Sequence, residues 1–172
     1  MSRRRMSTIV MLTAIALGAT GCAQTSAVDD SGEPLTTDVV FAAVKNIDPG
    51  DCADDATDAF EVPASATADA HCVRVDPEDE ITLGGGRAVL IAESEDAPST
   101  PESIELHLED EDAARLGEFT GRLVDRAAPQ NQMAIIVDGE VQSTPAVMSE
   151  LTGGVVSLSG EGLVGLYERM TG

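Results

Sequence analysis

Apolar residues recur along this chain at two spacings, and each change of spacing marks an element. In Ile104-Glu105-Leu106-His107-Leu108 they alternate, so Ile104, Leu106 and Leu108 share one face of a strand and Glu105 and His107 the other. Ala113, Leu116, Phe119, Leu123 and Val124 follow at helical spacing, behind Asp110, Glu111 and Asp112, whose carboxylates suit the positive end of a helix. That helix must stop by Pro129. Met133 to Val137 is a continuous apolar run of strand length, Asp138-Gly139 is a hairpin turn signal, and Val141 begins the returning strand. Pro145, which has no N–H to give a ladder, ends that strand or confines it to an edge. Val155-Val156-Ser157-Leu158 predicts a further strand, and Leu163, Leu166, Tyr167 and Met170 a short terminal helix.

Upstream, the run VVFAAV after Asp38 has strand character, and His71-Cys72-Val73-Arg74-Val75 alternates like an edge strand. Gly84-Gly85-Gly86 makes a loop, Arg87 to Ala92 reads as a more buried strand, and residues 94–102 form the next loop. Between Cys52 and Cys72 the chain is rich in Asp, Ala and Thr, with little to bury, and reads as a surface excursion. Residues 23–36 have no apolar periodicity, so residues 22–36 read as a flexible stalk. The pattern predicts an α+β domain over residues 37–172, with strands around one mixed sheet, one main helix and the short terminal one. With three Phe, one Tyr and no Trp, its core must rest on Val, Ile, Leu, Ala and Met.

The amino-terminal pattern is different. Arg3, Arg4 and Arg5 precede an apolar run from Ile9 to Ala19, then Thr20, Gly21 and Cys22, the layout of a secretory signal over residues 1–21. A run of about eleven residues is short of the roughly twenty that span a bilayer. Cysteine directly after Ala19-Thr20-Gly21 resembles the lipobox of bacterial lipoproteins, which implies lipid on Cys22 and a place on the extracytoplasmic face of the cell membrane. The alternatives are an ordinary cleaved signal with an incidental cysteine and, for the arginines, a twin-arginine export route.

Thirty-one acids against ten Lys and Arg give a formal charge of −21, and cleavage after Gly21 would remove three arginines and no acid, leaving −24. That balance excludes a nucleic-acid partner, because phosphate contacts need clustered cations, and it disfavours electrostatic adhesion to anionic headgroups. Cys52 and Cys72 remain as a pair. In an oxidising compartment a disulfide is the default, and a metal site with His71 is the alternative.

Several non-local residues form a pattern of their own. Phe119-Thr120-Gly121, then Pro129-Gln130-Asn131-Gln132-Met133-Ala134-Ile135-Ile136-Val137-Asp138-Gly139-Glu140-Val141, then Ser143, Pro145, Thr152-Gly153-Gly154 and Ser159-Gly160 resemble the head subdomain of the first periplasmic domain of SecD, in its actinobacterial form. Residues 104–160 carry the resemblance, about a third of the chain. It implies a ferredoxin-like α+β head, proposed in that family to contact the exported chain. The family's transmembrane helices have no counterpart in the pattern, so motor function is not carried over.

Asp138, Gly139, Ser143, Pro145, Gly153, Gly154 and Gly160 have structural duties as turn, kink and strand-end residues, and read as fold-makers. No catalytic constellation stands out. His71 and His107 do not complete a triad, neither Ser157 nor Ser159 sits in a nucleophile elbow, and Gly84-Gly85-Gly86 lacks the Lys and Ser or Thr of a phosphate loop. The acids at 51–58 and 109–112 lack the alternating spacing of a Ca²⁺ loop. The expectation is therefore a non-enzymatic, cofactor-free, lipid-anchored module that contacts exported polypeptide or Sec components. The alternative is a surface lipoprotein that reuses the fold without a role in secretion.

Overall fold

The computed structural model describes residues 32–53, 56–65, 68–91 and 102–172. Among the described residues nine strands and two helices follow in the order β1 (Glu33–Pro34), β2 (Val39–Pro49), β3 (Ala59–Val62), β4 (His71–Thr82), β5 (Arg87–Ile91), β6 (Ser103–His107), α1 (Asp110–Leu123), β7 (Met133–Val137), β8 (Glu140–Ser143), β9 (Val155–Leu158) and α2 (Leu163–Thr171). The α+β class and both helices are as expected. The strands, however, divide into two antiparallel sheets rather than gathering on one, in the orders β1-β5-β6-β9 and β3-β4-β2-β7-β8.

The division follows from β2 and β7, which are apolar on both faces. Val39, Phe41 and Ala43 of β2 and Met133, Ile135 and Val137 of β7 face the main core, with Ile104 and Leu106 of β6, Leu116, Phe119 and Leu123 of α1, and Leu163, Leu166 and Met170 of α2. The opposite face carries Ala42, Val44, Val73, Val75, Ala134 and Ile136, which pack into a second cluster. The five-stranded sheet buries that cluster by curling: its two edge strands, β3 and β8, come into contact, and Phe60, Val62 and Val141 close over it. Register shifts in β2, at Ala42/Val44 and Val44/Asn46, and between Ile135 and Ile136 beside β8, supply the bend.

Two expectations change accordingly. His71 to Val75 lies inside the sheet, between β3 and β2, because Phe60 and Val62, the two large apolar side chains of the supposed excursion, make β3 the edge. The stalk is shorter than 22–36: Glu33 and Pro34 pair with β5, and the Thr36 N–H and Thr37 hydroxyl donate to the carbonyls of Met170 and Arg169 at 2.8 Å each. Those bonds satisfy carbonyls that the end of α2 leaves without helical partners.

One of the three acids opening α1 has a second duty. Asp112 is buried and accepts the N–H groups of Gly84 at 2.7 Å and Gly85 at 3.3 Å, with Arg115 at 2.9 Å balancing its charge. It thereby clasps the β4–β5 turn to the start of the helix. At the other end of α1, Arg122 and Arg126 reach Asp79 of β4 at 2.7 and 2.8 Å.

Candidate functional site

Where the two sheets end side by side, a groove of about 610 Å³ opens between β9 and the chain that leaves β8. Among the described residues β9 is an edge strand, hydrogen-bonded to β6 alone. The facing wall is the segment from Ser143 to Ser149, and the floor is apolar, from Met133, Ile135 and Val147.

The wall is built by the residues of the sequence motif. The Asp138-Gly139 turn, with φ of 53° and 76°, reverses the chain after β7, as the hairpin signal requires. Ser143 closes β8 opposite Ile135. Past it, Pro145 gives no N–H but its carbonyl accepts the Met133 N–H at 3.0 Å, and the Val147 N–H donates to Asn131 at 2.8 Å. The wall thus runs on beside the start of β7 although the regular strand has ended.

Helix α1 holds the wall from behind. Thr120 is fully buried; its hydroxyl donates to the Leu116 carbonyl at 2.8 Å and accepts the Leu151 N–H at 3.0 Å. Gly117 and Gly121 leave that helix face without side chains, and the Glu150 carboxylate and Leu151 backbone lie against it. The Phe-Thr-Gly element therefore acts as a seat for the 150–152 turn. Gly154 then sends the chain into β9 with φ of 67°, its carbonyl accepting the Leu108 N–H at 2.8 Å, while Gly160 lies in the turn after β9.

Among the described residues, none that lines the groove is charged, in a chain with 31 acids. Its polar groups are the hydroxyls of Ser143, Thr144, Ser149, Ser157 and Ser159. Two large apolar side chains stand open at it, Met148 at 81% and Val155 at 44% exposure.

Away from the groove, Cys52 and Cys72 are joined as a disulfide between the run-out of β2 and the start of β4. Among the described residues no three His, Cys, Asp or Glu side chains cluster as metal ligands, and no helix is long and apolar enough to cross a membrane. The His71 ring lies 2.9 Å from the Asp69 carbonyl. Cys22 lies outside the described residues. Among the described residues Asp79 is the one group with a clear pKa displacement: burial pulls its pKa up, but the hydrogen bonds and charges of Arg122 and Arg126 outweigh this and hold it below the ordinary aspartate value.

Sequence reasoning identified the wall residues but not the groove. Val155-Val156-Ser157-Leu158 reads as a strand from its composition; that it lies at an edge follows only from its pairing with β6. Its residues do not mark it as an edge, since it lacks the Lys or Pro by which edge strands are commonly protected.

The family model described as the SecDF P1 head subdomain matches residues 70–164, a span that holds α1, β4 to β9 and every groove-lining residue. The protein translocase subunit SecD of Streptomyces coelicolor is 38% identical over 58 residues, covering 34% of this chain and 10% of that protein. The chain thus spans about a tenth of the length of that relative. A solved structure of a membrane component SecDF that enhances protein export aligns at 17% identity and a TM-score of 0.46, over 81% of this chain and 61% of the other.

Proposed function

The chain belongs to the SecDF P1 head subdomain family, and from that membership we propose that it is an extracytoplasmic accessory module of protein export that holds extended polypeptide in the groove beside β9. The observation that carries this reading is an uncharged, apolar-floored groove at an open strand edge, inside the span that the family model matches. A polypeptide in transit is unfolded, so it offers backbone groups and apolar side chains together, and a strand edge beside an apolar floor takes both. We assign the module binding alone, with neither catalysis nor transport of its own.

The tether in this reading is lipid on Cys22. With a formal charge of −24 after cleavage, attachment rests on acyl insertion rather than on attraction to headgroups. Replacing Cys22 by Ser should abolish labelling with palmitate and move the protein to the soluble fraction; retention of both label and membrane association would remove the tether from the proposal.

The test of the binding role is a photocrosslinking amino acid at Met148 in intact cells. Exported polypeptides or Sec components should be captured there. A protein that captures no polypeptide partner from this position is not an export accessory of the kind proposed.

A further inference from the structure

Resting on the reading above, we propose how the groove holds its occupant: one extended segment, poor in acidic residues, adds to the four-stranded sheet as a fifth strand on the outer edge of β9, bonding to the backbone of Val155, Ser157 and Ser159. The register identifies these residues. β9 pairs with β6 as Ile104↔Leu158, Glu105↔Ser157, Leu106↔Val156 and His107↔Val155, and the Leu108 N–H donates to the Gly154 carbonyl at 2.8 Å. Hydrogen-bonded and non-bonded pairs alternate along an antiparallel ladder. Starting from that bond, Val156 and Leu158 turn their backbone groups towards β6. Val155 and Ser157, and Ser159 beyond them, turn theirs into the groove, which all three line.

The side chains of β9 agree with this polarity. Val156 and Leu158 are buried in the core, whereas Val155 and Ser157 are exposed. An incoming strand would lay alternate side chains beside Val155 and the exposed thioether of Met148, with apolar contact there and hydroxyl contact to Ser143 and Ser157.

Two observations select the occupant. The wall from Ser143 to Ser149 faces β9 across the groove, so a slim extended chain fits where the edge of another folded sheet would meet the wall. The charge of the chain, −21 over 172 residues, repels a second copy and acidic segments alike, while the uncharged lining sets no opposing requirement.

The experiment uses the full chain in detergent and two fluorescent octapeptides of alternating Val and Thr, one ended by lysines and one by glutamates. The lysine peptide should bind roughly tenfold more tightly at low salt, the difference shrinking as salt rises. Ser157→Pro removes an outward N–H and no bond to β6, so it should leave the unfolding midpoint near that of the wild type and weaken peptide binding roughly tenfold. Methylating alternate peptide nitrogens should do the same from the ligand side, without touching the fold.

Equal binding by Ser157→Pro and by the methylated peptide, while the Met148 crosslinker still captures polypeptide in cells, overturns the strand mode and leaves the export reading standing. Loss of capture in the wild type removes both. A dimer in sedimentation that Ser157→Pro dissociates would assign the edge to a second copy and overturn the proposal, as would equal affinity for the glutamate peptide at low salt.

Discussion

The Thr120 hydroxyl accepts the backbone N–H of Leu151 across 31 positions of sequence, at 3.0 Å, and so ties the back of the groove wall to helix α1. Thr120→Val keeps the shape and leaves that N–H without its partner, which costs about 1–3 kcal/mol. Thr120→Ser keeps the hydroxyl and forfeits a buried methyl, about 0.8 kcal/mol. Hydrogen exchange separates the two: the Leu151 amide should exchange faster in Thr120→Val and near the wild-type rate in Thr120→Ser. An unchanged rate in the valine variant would show that the hydroxyl does not hold the wall.

Asp79 makes the stability of the α1–β4 contact depend on pH. Its folded pKa lies below the ordinary 3.8 because, against the opposing pull of burial, Arg122 and Arg126 stabilise the charged form. A depressed carboxylate contributes stability that is complete above the unfolded pKa and is lost as pH falls through the folded value. The urea midpoints of wild type and Asp79→Asn should therefore differ at pH 6, begin to converge as pH falls below about 4, and meet below the folded pKa. Arg122 is half exposed, so the difference at pH 6 should be only about 1 kcal/mol, and salt should reduce it. A difference that persists unchanged at pH 2.5 would rule out the ion pair as its source.

Local chemistry explains what was legible in the sequence. The alternation at 104–108, the spacing in α1 and the Asp138-Gly139 turn each depend on neighbours in sequence, and each stands where the pattern puts it. β1 and β3 were not legible because two and four residues carry too little periodicity; their partners on β5 and β4 make them strands. The same holds for the second sheet. The run at 133–137 reads as buried on both faces, but that its second face is covered by the curl of its own sheet depends on β3 meeting β8, about 80 residues away in sequence. The edge of the Asp138-Gly139 hairpin is met by β3, whereas β9 stands at an edge of the other sheet.

The disulfide is expected to matter most to β3. Cys72 is buried in β4, and the bond closes a loop of 20 positions that contains the whole of β3. In the chain-entropy account such a closure contributes about 3 kcal/mol. Cys52→Ala should lower the unfolding free energy by about that amount, and the amides of β3 should lose protection before those of β2 and β7. Uniform loss across the sheet would instead indicate that the bond stabilises only the domain as a whole.

Gly153 and Gly154 are adjacent in the motif, yet the structure asks different things of them. Gly154 has φ of 67°, and a Cβ there would sit 3.4 Å from that of Ala113 at the start of α1, so an alanine meets backbone strain and a tight contact together. Gly153 has no positive φ and nothing within 4 Å of an added Cβ. Gly154→Ala should therefore destabilise by about 1–2 kcal/mol, while Gly153→Ala should stay within about 0.5 kcal/mol of the wild type. Because the Gly154 carbonyl also accepts the Leu108 N–H, at the β6 end of the β9 ladder, its substitution should loosen β9 and weaken octapeptide binding, whereas Gly153→Ala should leave binding unchanged. Equal losses in the two variants would mean that the pair acts through flexibility, and not through the one left-handed residue that aims β9 along the groove.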